Sequence, residues 1–269
     1  MHPMLNIAVR AARRAGNIIA RASQRLHELT IDRKGRHDYV SEVDREAERV
    51  IIETLRDAYP GHAIRAEESG DDGNDDYVWV IDPLDGTLNF LHGYPQYAVS
   101  IALRVKGRLE QGVVYDPVRD EMFTATRGVG AQLNGHRIRV GRCQHLENAL
   151  LATGFPVRNE TLLPRYLESF GALLRQCADI RRAGAAALDL AHVASGRLDG
   201  FWEFNLQEWD VAAGALLVQE SGGLVGDPDG GGSHLESGNI IAGNPKMFRY
   251  VLTELSKHHN KKPAAAVRV

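Results

Sequence analysis

Trp79-Val80-Ile81-Asp82-Pro83-Leu84-Asp85-Gly86-Thr87-Leu88-Asn89-Phe90 is the stretch from which the fold and the chemistry of this chain can be read. Val78 to Ile81 is an apolar, β-rich run and predicts a buried strand. The strand is expected to stop at Asp82-Pro83, because proline has no amide hydrogen for a ladder and restricts the residue before it. Asp85-Gly86-Thr87 then predicts the opening of a helix, with Asp85 as its N-cap. Asp82 and Asp85 would thus meet at the C-terminal end of a strand, beside free helix amides. Two close carboxylates repel each other and are costly to desolvate. A hard divalent cation such as Mg²⁺ resolves that conflict, and the amides suit a phosphate. Taken alone, the stretch can also be read as a capped turn with two solvated aspartates, so the rest of the chain decides.

With 269 residues the chain can bury a full-sized core, as one large domain or two modest ones. Its 43% hydrophobic and 25% charged residues are ordinary for a soluble globular protein. A formal net charge of -3 offers no electrostatic case for non-specific nucleic-acid binding. No apolar run approaches the roughly 20 residues of a membrane span. The N-terminus lacks the basic start and apolar core of a signal peptide, so the expected location is cytoplasmic. Cys143 and Cys177 are too few for a disulfide framework or a structural zinc site, and two reduced thiols are expected.

Upstream of the opening stretch, residues 3–22 put Leu5, Ile7, Ala8, Ala11, Ala12, Ala15, Ile18 and Ile19 on one helix face. Arg10, Arg13, Arg14 and Arg21 fall elsewhere, and without interleaved aromatic residues they are expected to be a solvated face rather than an RNA patch. Residues 24–40 are polar and turn-rich and predict a loop, either on the surface or part of a site. Ser41 and Asp44 form a variant capping box for a second helix, which Tyr59-Pro60-Gly61 ends. Ala63 to Ala66 predicts a short strand running into Glu67-Glu68. Adjacent glutamates in a strand face opposite ways, so one could reach a cation while the other supports it. An acidic solvated loop is the plainer alternative, and it is the reading given to residues 70–76.

Downstream, residues 97–105 and 109–115 predict a hairpin about Lys106-Gly107-Arg108, and residues 121–126 add a strand. Residues 1–145 are therefore expected to form an α+β subdomain. Residues 146–257 alternate strand and helix as an α/β subdomain, with the last helix spanning residues 245–255. The tail, residues 258–269, is expected to be disordered. Gly230-Gly231-Gly232 has no Lys-Ser/Thr partner, which excludes a P-loop. Trp209-Asp210-Val211-Ala212-Ala213-Gly214 adds an acidic residue in a first helical turn, followed by small residues that allow close packing.

Glu67-Glu68-Ser69, the stretch 79–90 and the stretch 209–223 together resemble the inositol monophosphatase family of Mg²⁺-dependent phosphatases. The resemblance runs from Leu5 to about Leu255 and implies a layered α-β-α-β-α sandwich, usually a homodimer. It implies Glu67, Asp82 and the carbonyl of Leu84 as ligands of one cation, and Asp82, Asp85 and Asp210 as ligands of a second. Glu68 is implied as a water-mediated ligand of a third, looser ion. Thr87 is implied to hold the attacking water and Asp44 to accept the threonine proton. The amides of Gly86 and Thr87 would hold phosphate oxygens, Glu203 and the backbone of Ala186 would meet a sugar ring, and Lys34 would lie near the cations. The implied reaction is hydrolysis of myo-inositol monophosphates, or of another small phosphate monoester such as a nucleotide 3′-phosphate or fructose 1,6-bisphosphate, with lithium sensitivity. Leu88 and Ala185 stand where the family usually carries hydroxyl residues, and both changes are expected near the substrate.

The N-terminal Met1 to Ala8 and the run Leu151 to Pro156 resemble most the bacterial SuhB-type branch of that family. That branch implies a second, non-catalytic role as a Nus-type antitermination factor contacting NusA, RNA polymerase and a ribosomal RNA leader. Arg10, Arg13, Arg14, Arg181 and Arg182 are candidate partner-surface residues for it.

Overall fold

The computed structural model describes residues 2–29, 31–35, 38–157 and 159–259. Chain order is α1 (Pro3–Ala22), β1 (Ile31–Gly35), β2 (Asp38–Ser41), α2 (Glu42–Ala58), β3 (Ala63–Ala66), β4 (Gly70–Asp72), β5 (Tyr77–Asp85) and α3 (Thr87–Leu91). An antiparallel run follows: β6 (Ala98–Val105), β7 (Arg108–Asp116), β8 (Glu121–Thr126), β9 (Gly130–Leu133) and β10 (His136–Arg137). The second half holds β11 (Leu150–Thr153), α4 (Leu163–Leu174), β12 (Asp179–Arg181), α5 (Ala186–Ala194), β13 (Gly200–Glu203) and α6 (Glu208–Glu220). It ends with β14 (Leu224–Gly226), α7 (His234–Ser237), β15 (Ile240–Gly243) and α8 (Pro245–His259).

One sheet has eight strands in the order β10-β9-β8-β7-β6-β5-β3-β4, and the other has five, β12-β11-β13-β15-β14. Helices α1 and α2 cover the outer face of the first sheet, and α4 and α8 cover the outer face of the second. Between the sheets lie α5 and α6, apolar on nearly every side, as a helix packed on both faces must be. Their Leu188, Leu190, Val211, Leu216 and Val218 share one core with Val80 and Val114 of the first sheet and Phe201 and Ile240 of the second. This is the α-β-α-β-α sandwich.

Burial explains the elements that pattern alone foretold. The inner face of α1 buries Leu5, Ala8, Ala11, Ala12, Ala15 and Ile19, while Ile7 and Ile18 are half-buried at its edge. Arg13 reaches Asp120 and Arg14 donates to Thr54 Oγ1, so part of the α1 arginine face serves intramolecular contacts.

Several expectations are corrected. The segment 24–40 contains the antiparallel pair β1–β2 rather than only loop. Acidic Gly70–Asp72 is a strand on the sheet edge, where Arg65 and Arg56 neutralise Asp71 and Asp72. Residues 67 and 68 lie in a turn after β3, not in the strand. Helix α8 continues through 258 and 259, and the rest of the expected tail, 260–269, lies outside the described residues.

The strand at the centre also differs. β5 continues past Pro83 to Asp85, where Asp82 pairs with Ser100 and Asp85 with Ala98. Three steps on β5 thus match two on β6, which is a β-bulge at Pro83-Leu84. A bulge skips a ladder bond, so proline is accommodated without an orphaned acceptor.

Candidate active site

Asp82 sits at that bulge, 1% exposed, with Oδ1 accepting the amide of Leu84 at 3.0 Å. Burial pushes its carboxyl well above the usual carboxylate range, and Glu67, Asp85 and Asp210 push it further by repulsion. Asp85 is also pushed well up, by burial and then by Asp210, while the amide of Ala187 works the other way. Glu67, Asp82, Asp85 and Asp210 are thus one mutually repelling acidic set. Among the described residues no group of three is already gathered into a coordination shell. What stands there is a set of hard oxygen donors whose charges repel until something positive joins them. That donor chemistry fits Mg²⁺.

Asp85 does not cap α3. The N-cap is Gly86, at φ 90°, a left-handed conformation that favours glycine. A Cβ there would also meet the Gln96 carbonyl oxygen at 2.8 Å. Asp85 Oδ2 instead accepts the amide of Ala187 in the first turn of α5, at 2.8 Å.

Thr87 opens α3, and its Oγ1 lies 2.9 Å from Asp44 Oδ1 and 3.0 Å from the carbonyl of Leu84. Asp44 is fully buried in the first turn of α2. Its Oδ2 accepts from the amide and hydroxyl of Ser41 at 2.8 and 2.6 Å, completing the capping box. Burial raises the Asp44 carboxyl above its ordinary range, against the lowering pull of the Ser41 and Thr87 hydrogen bonds.

Behind Glu67 stands a residue that the sequence reading missed. Glu48, 3% exposed on α2, accepts the amides of Glu68 and Ser69 at 2.8 Å each. The amide of Glu67 donates to Ile81 O on β5 at 3.2 Å, so the acidic turn is held from both sides. The signal was available: Glu48 lies one helical turn after Asp44 on the same buried face.

Glu67, Asp82, Asp85 and Thr87 line one cavity of about 300 Å³. Of the expected site residues, Glu67, Asp82, Leu84, Asp85, Gly86, Thr87, Ala186, Glu203 and Asp210 all border it. Asp44 lies behind Thr87, and Glu68 is outside the lining, with its amide held by Glu48. The backbone of Lys34 belongs to β1, and its side chain lies outside the described residues. The two departures separate: Leu88 borders the cavity, 46% exposed, whereas Ala185 is buried and does not.

The lining also includes Phe155, Arg182 and Asn89, none singled out in the sequence as site residues. The Arg182 guanidinium lies 5.3 Å over the Phe155 ring. Asn89 Nδ2 donates to Gln96 O at 2.7 Å and Ala183 O at 2.9 Å, tying α3 to the loop before α5. Asn89, polar between Leu88 and Phe90, was the only hint of that link.

The model of the inositol monophosphatase family matches residues 1–261. The chain is 58% identical over 264 residues to a Pseudomonas aeruginosa protein named "Nus factor SuhB", covering 96% of this chain and 97% of that one. It is 54% identical over 257 residues to the Escherichia coli K12 protein of the same name, covering 95% and 96%. Among solved structures, the extragenic suppressor protein suhB of Bartonella henselae superposes with a TM-score of 0.93 at 44% identity, covering 95% of this chain and 99% of that chain. An inositol monophosphatase from Anabaena superposes with a TM-score of 0.81 at 38% identity, covering 94% and 95%.

Proposed function

The chain belongs to the inositol monophosphatase family, and from that premise we propose that it hydrolyses myo-inositol monophosphates to inositol and phosphate with Mg²⁺ as cofactor. The observation that carries this reading is the convergence of Glu67, Asp82, Asp85 and Asp210 on one cavity beside the Thr87–Asp44 pair.

Glu67, Asp82 and the Leu84 carbonyl would hold one ion; Asp82, Asp85 and Asp210 a second; Glu68, through water, a looser third. Bound there, Mg²⁺ supplies an acidified water and neutralises charge developing in an in-line phosphoryl transfer. Thr87 Oγ1 orients the water and takes its proton while passing its own hydrogen to Asp44. A carboxylate raised by burial is the better acceptor for that proton near neutral pH. The amides of Gly86 and Thr87, at the start of α3, hold phosphate oxygens. Glu203 accepts hydrogen bonds from ring hydroxyls, the backbone of Ala186 contacts the ring, and Lys34 offsets part of the negative charge.

Phosphate release from a panel of inositol 1-phosphate, a nucleotide 3′-phosphate and fructose 1,6-bisphosphate, with and without Mg²⁺, tests the reading. Turnover of inositol phosphate that disappears in Asp85→Asn is expected. No turnover, or an unchanged Asp85→Asn enzyme, refutes it. A lithium titration of the same assay is expected to inhibit.

The relatives' name supports a second reading: a Nus-type antitermination factor in the cytoplasm that contacts NusA, RNA polymerase and RNA independently of catalysis. Equal recovery of NusA by wild-type and Asp85→Asn protein separates the two roles. No recovery by either removes this one. A homodimer is also part of the proposal. Leu167 and Leu174 are exposed on α4, and sedimentation of the full chain tests the dimer.

A further inference from the structure

Outside the cavity, a partly buried charge cluster joins three distant segments. Glu208, 8% exposed at the start of α6, accepts Arg65 Nη1 on Oε2 at 2.7 Å, and Arg104 Nη1 on Oε1. Arg65 also grips Asp71 through Nε and Nη2, at 2.9 and 3.0 Å. The arginines stand on β3 and β6, on either side of β5, where Arg65 pairs with Val80 and Arg104 with Val78. Val80 and Val78 pack on the middle layer, so both guanidinium groups approach α6 across the central strand.

The spacing in the chain is what gives this bridge meaning. Arg65 lies two residues before Glu67, and Glu208 lies two residues before Asp210. The ion pair thus joins the segments that carry two carboxylates of the cavity, one from each half of the chain. Those carboxylates belong to a mutually repelling set, since both push up the Asp82 carboxyl. Left to charge alone, the first turn of α6 would move away from β5. Ser100 Oγ on β6 also holds that turn, donating to Trp209 O at 3.1 Å.

We propose that Glu208 is a positioning residue: held between Arg65 and Arg104, it sets the distance of Asp210 from Glu67 and Asp82 and so keeps the cation site assembled. This rests on the metal-site reading above. A half-buried bridge with one member removed leaves a charge uncompensated, so the turn is expected to shift rather than stay in place.

The test uses the full chain, freed of metal, and Mn²⁺ as probe, with bound and free ion separated by electron paramagnetic resonance. Glu208→Gln and Arg65→Met are each expected to weaken Mn²⁺ binding about tenfold to hundredfold, as loss of groups that orient metal ligands does. The double variant is expected to bind no worse than Glu208→Gln alone, because that change already breaks the bridge to Arg65. Asp71→Asn, which leaves Glu208 paired, is expected to bind as wild type. Folded single variants with wild-type Mn²⁺ affinity overturn the proposal. Should wild type bind no Mn²⁺, the metal reading fails instead. Amide exchange across 207–211 then judges the bridge alone: faster exchange in Glu208→Gln supports it, and unchanged exchange refutes it.

Discussion

Asp85 Oδ2 accepts the amide of Ala187 at 2.8 Å across a sequence separation of 102 residues, so a carboxylate at the end of β5 caps a helix of the middle layer. The N-cap of α5 itself, Ala185, has no side-chain oxygen, although its backbone is in the extended region that N-caps adopt. Ala185→Ser therefore supplies an acceptor for the Leu188 amide while leaving Ala187 to Asp85. A gain of about 1 kcal/mol is expected, which calorimetry should read as a melting point raised by roughly 3 °C. Leu88→Thr is a different experiment on the other departure from the family pattern. On the exposed lip of the cavity it should leave stability within about 0.5 kcal/mol and lower KM for inositol phosphate. A change in stability without a change in KM would sink that assignment.

The acidic cluster makes stability depend on pH in a defined direction. Unfolded, Asp82 and Asp85 titrate near 3.8; folded, both are pushed well higher by burial and mutual repulsion. Between those values the folded protein binds the extra protons. The favourable contribution is thus complete below the unfolded value and is lost as pH rises through the folded one, at about 1.4 kcal/mol per unit of displacement. Metal-free protein is expected to lose melting temperature as pH rises above 3.8 and through the raised folded values, and Mg²⁺ to restore it. Asp82→Asn should flatten the metal-free curve. Parallel curves for variant and wild type would mean that the cluster is not the source.

At the Thr87–Asp44 pair, removing either group should cost turnover without unfolding the protein. Asn at position 44 can still accept from the Ser41 amide, so the capping box persists while the proton acceptor is gone. Thr87→Ala and Asp44→Asn are each expected to lower kcat by about 10²–10⁴-fold, and Thr87→Ser to retain most of it. Inorganic phosphate should bind all three with near wild-type affinity. An active Asp44→Asn enzyme would leave Asp44 only as the capping residue of α2.

Helices α1, α2 and α6 and the antiparallel run β6 to β8 were legible because each follows a single local rule: an apolar stripe, a cap, a hairpin turn. The site was half legible for the same reason. Asp82, Asp85 and Thr87 sit together in the chain, whereas Glu67 and Asp210 could be joined to them only through the family resemblance. What stayed hidden depends on non-local geometry. The bulge at Pro83-Leu84 exists because β6 offers one residue fewer. Glu48 matters because the turn after β3 folds over it. The strand at Gly70–Asp72 runs against local propensity, and pairing with β3 overrides it.

Glu203 offers the sharpest separation of substrate binding from chemistry. It ends β13, beside β11, whose last residue Thr153 pairs with Trp202. Gly154 follows directly, and its missing side chain is what lets the Glu203 carboxylate lie flat against the neighbouring backbone: a methyl group there would overlap all three atoms of that carboxylate. Gly154 is not at positive φ, so alanine carries no left-handed backbone penalty there, and the three atoms nearest its methyl group all belong to Glu203. Gly154→Ala should therefore fold normally and turn the carboxylate away from the cavity. If Glu203 holds the ring hydroxyls, KM for inositol phosphate should rise about tenfold, the loss of one charge-assisted hydrogen bond of roughly 1.5 kcal/mol. The cation cluster and Thr87 are untouched, so kcat on a small substrate without a polyol ring, such as p-nitrophenyl phosphate, should stay near wild type. Glu203→Gln in the Gly154→Ala background should add little, because the contact is already broken. Equal losses on both substrates would instead mean that Glu203 supports the carboxylates themselves, since Asp85 lies within reach of its charge.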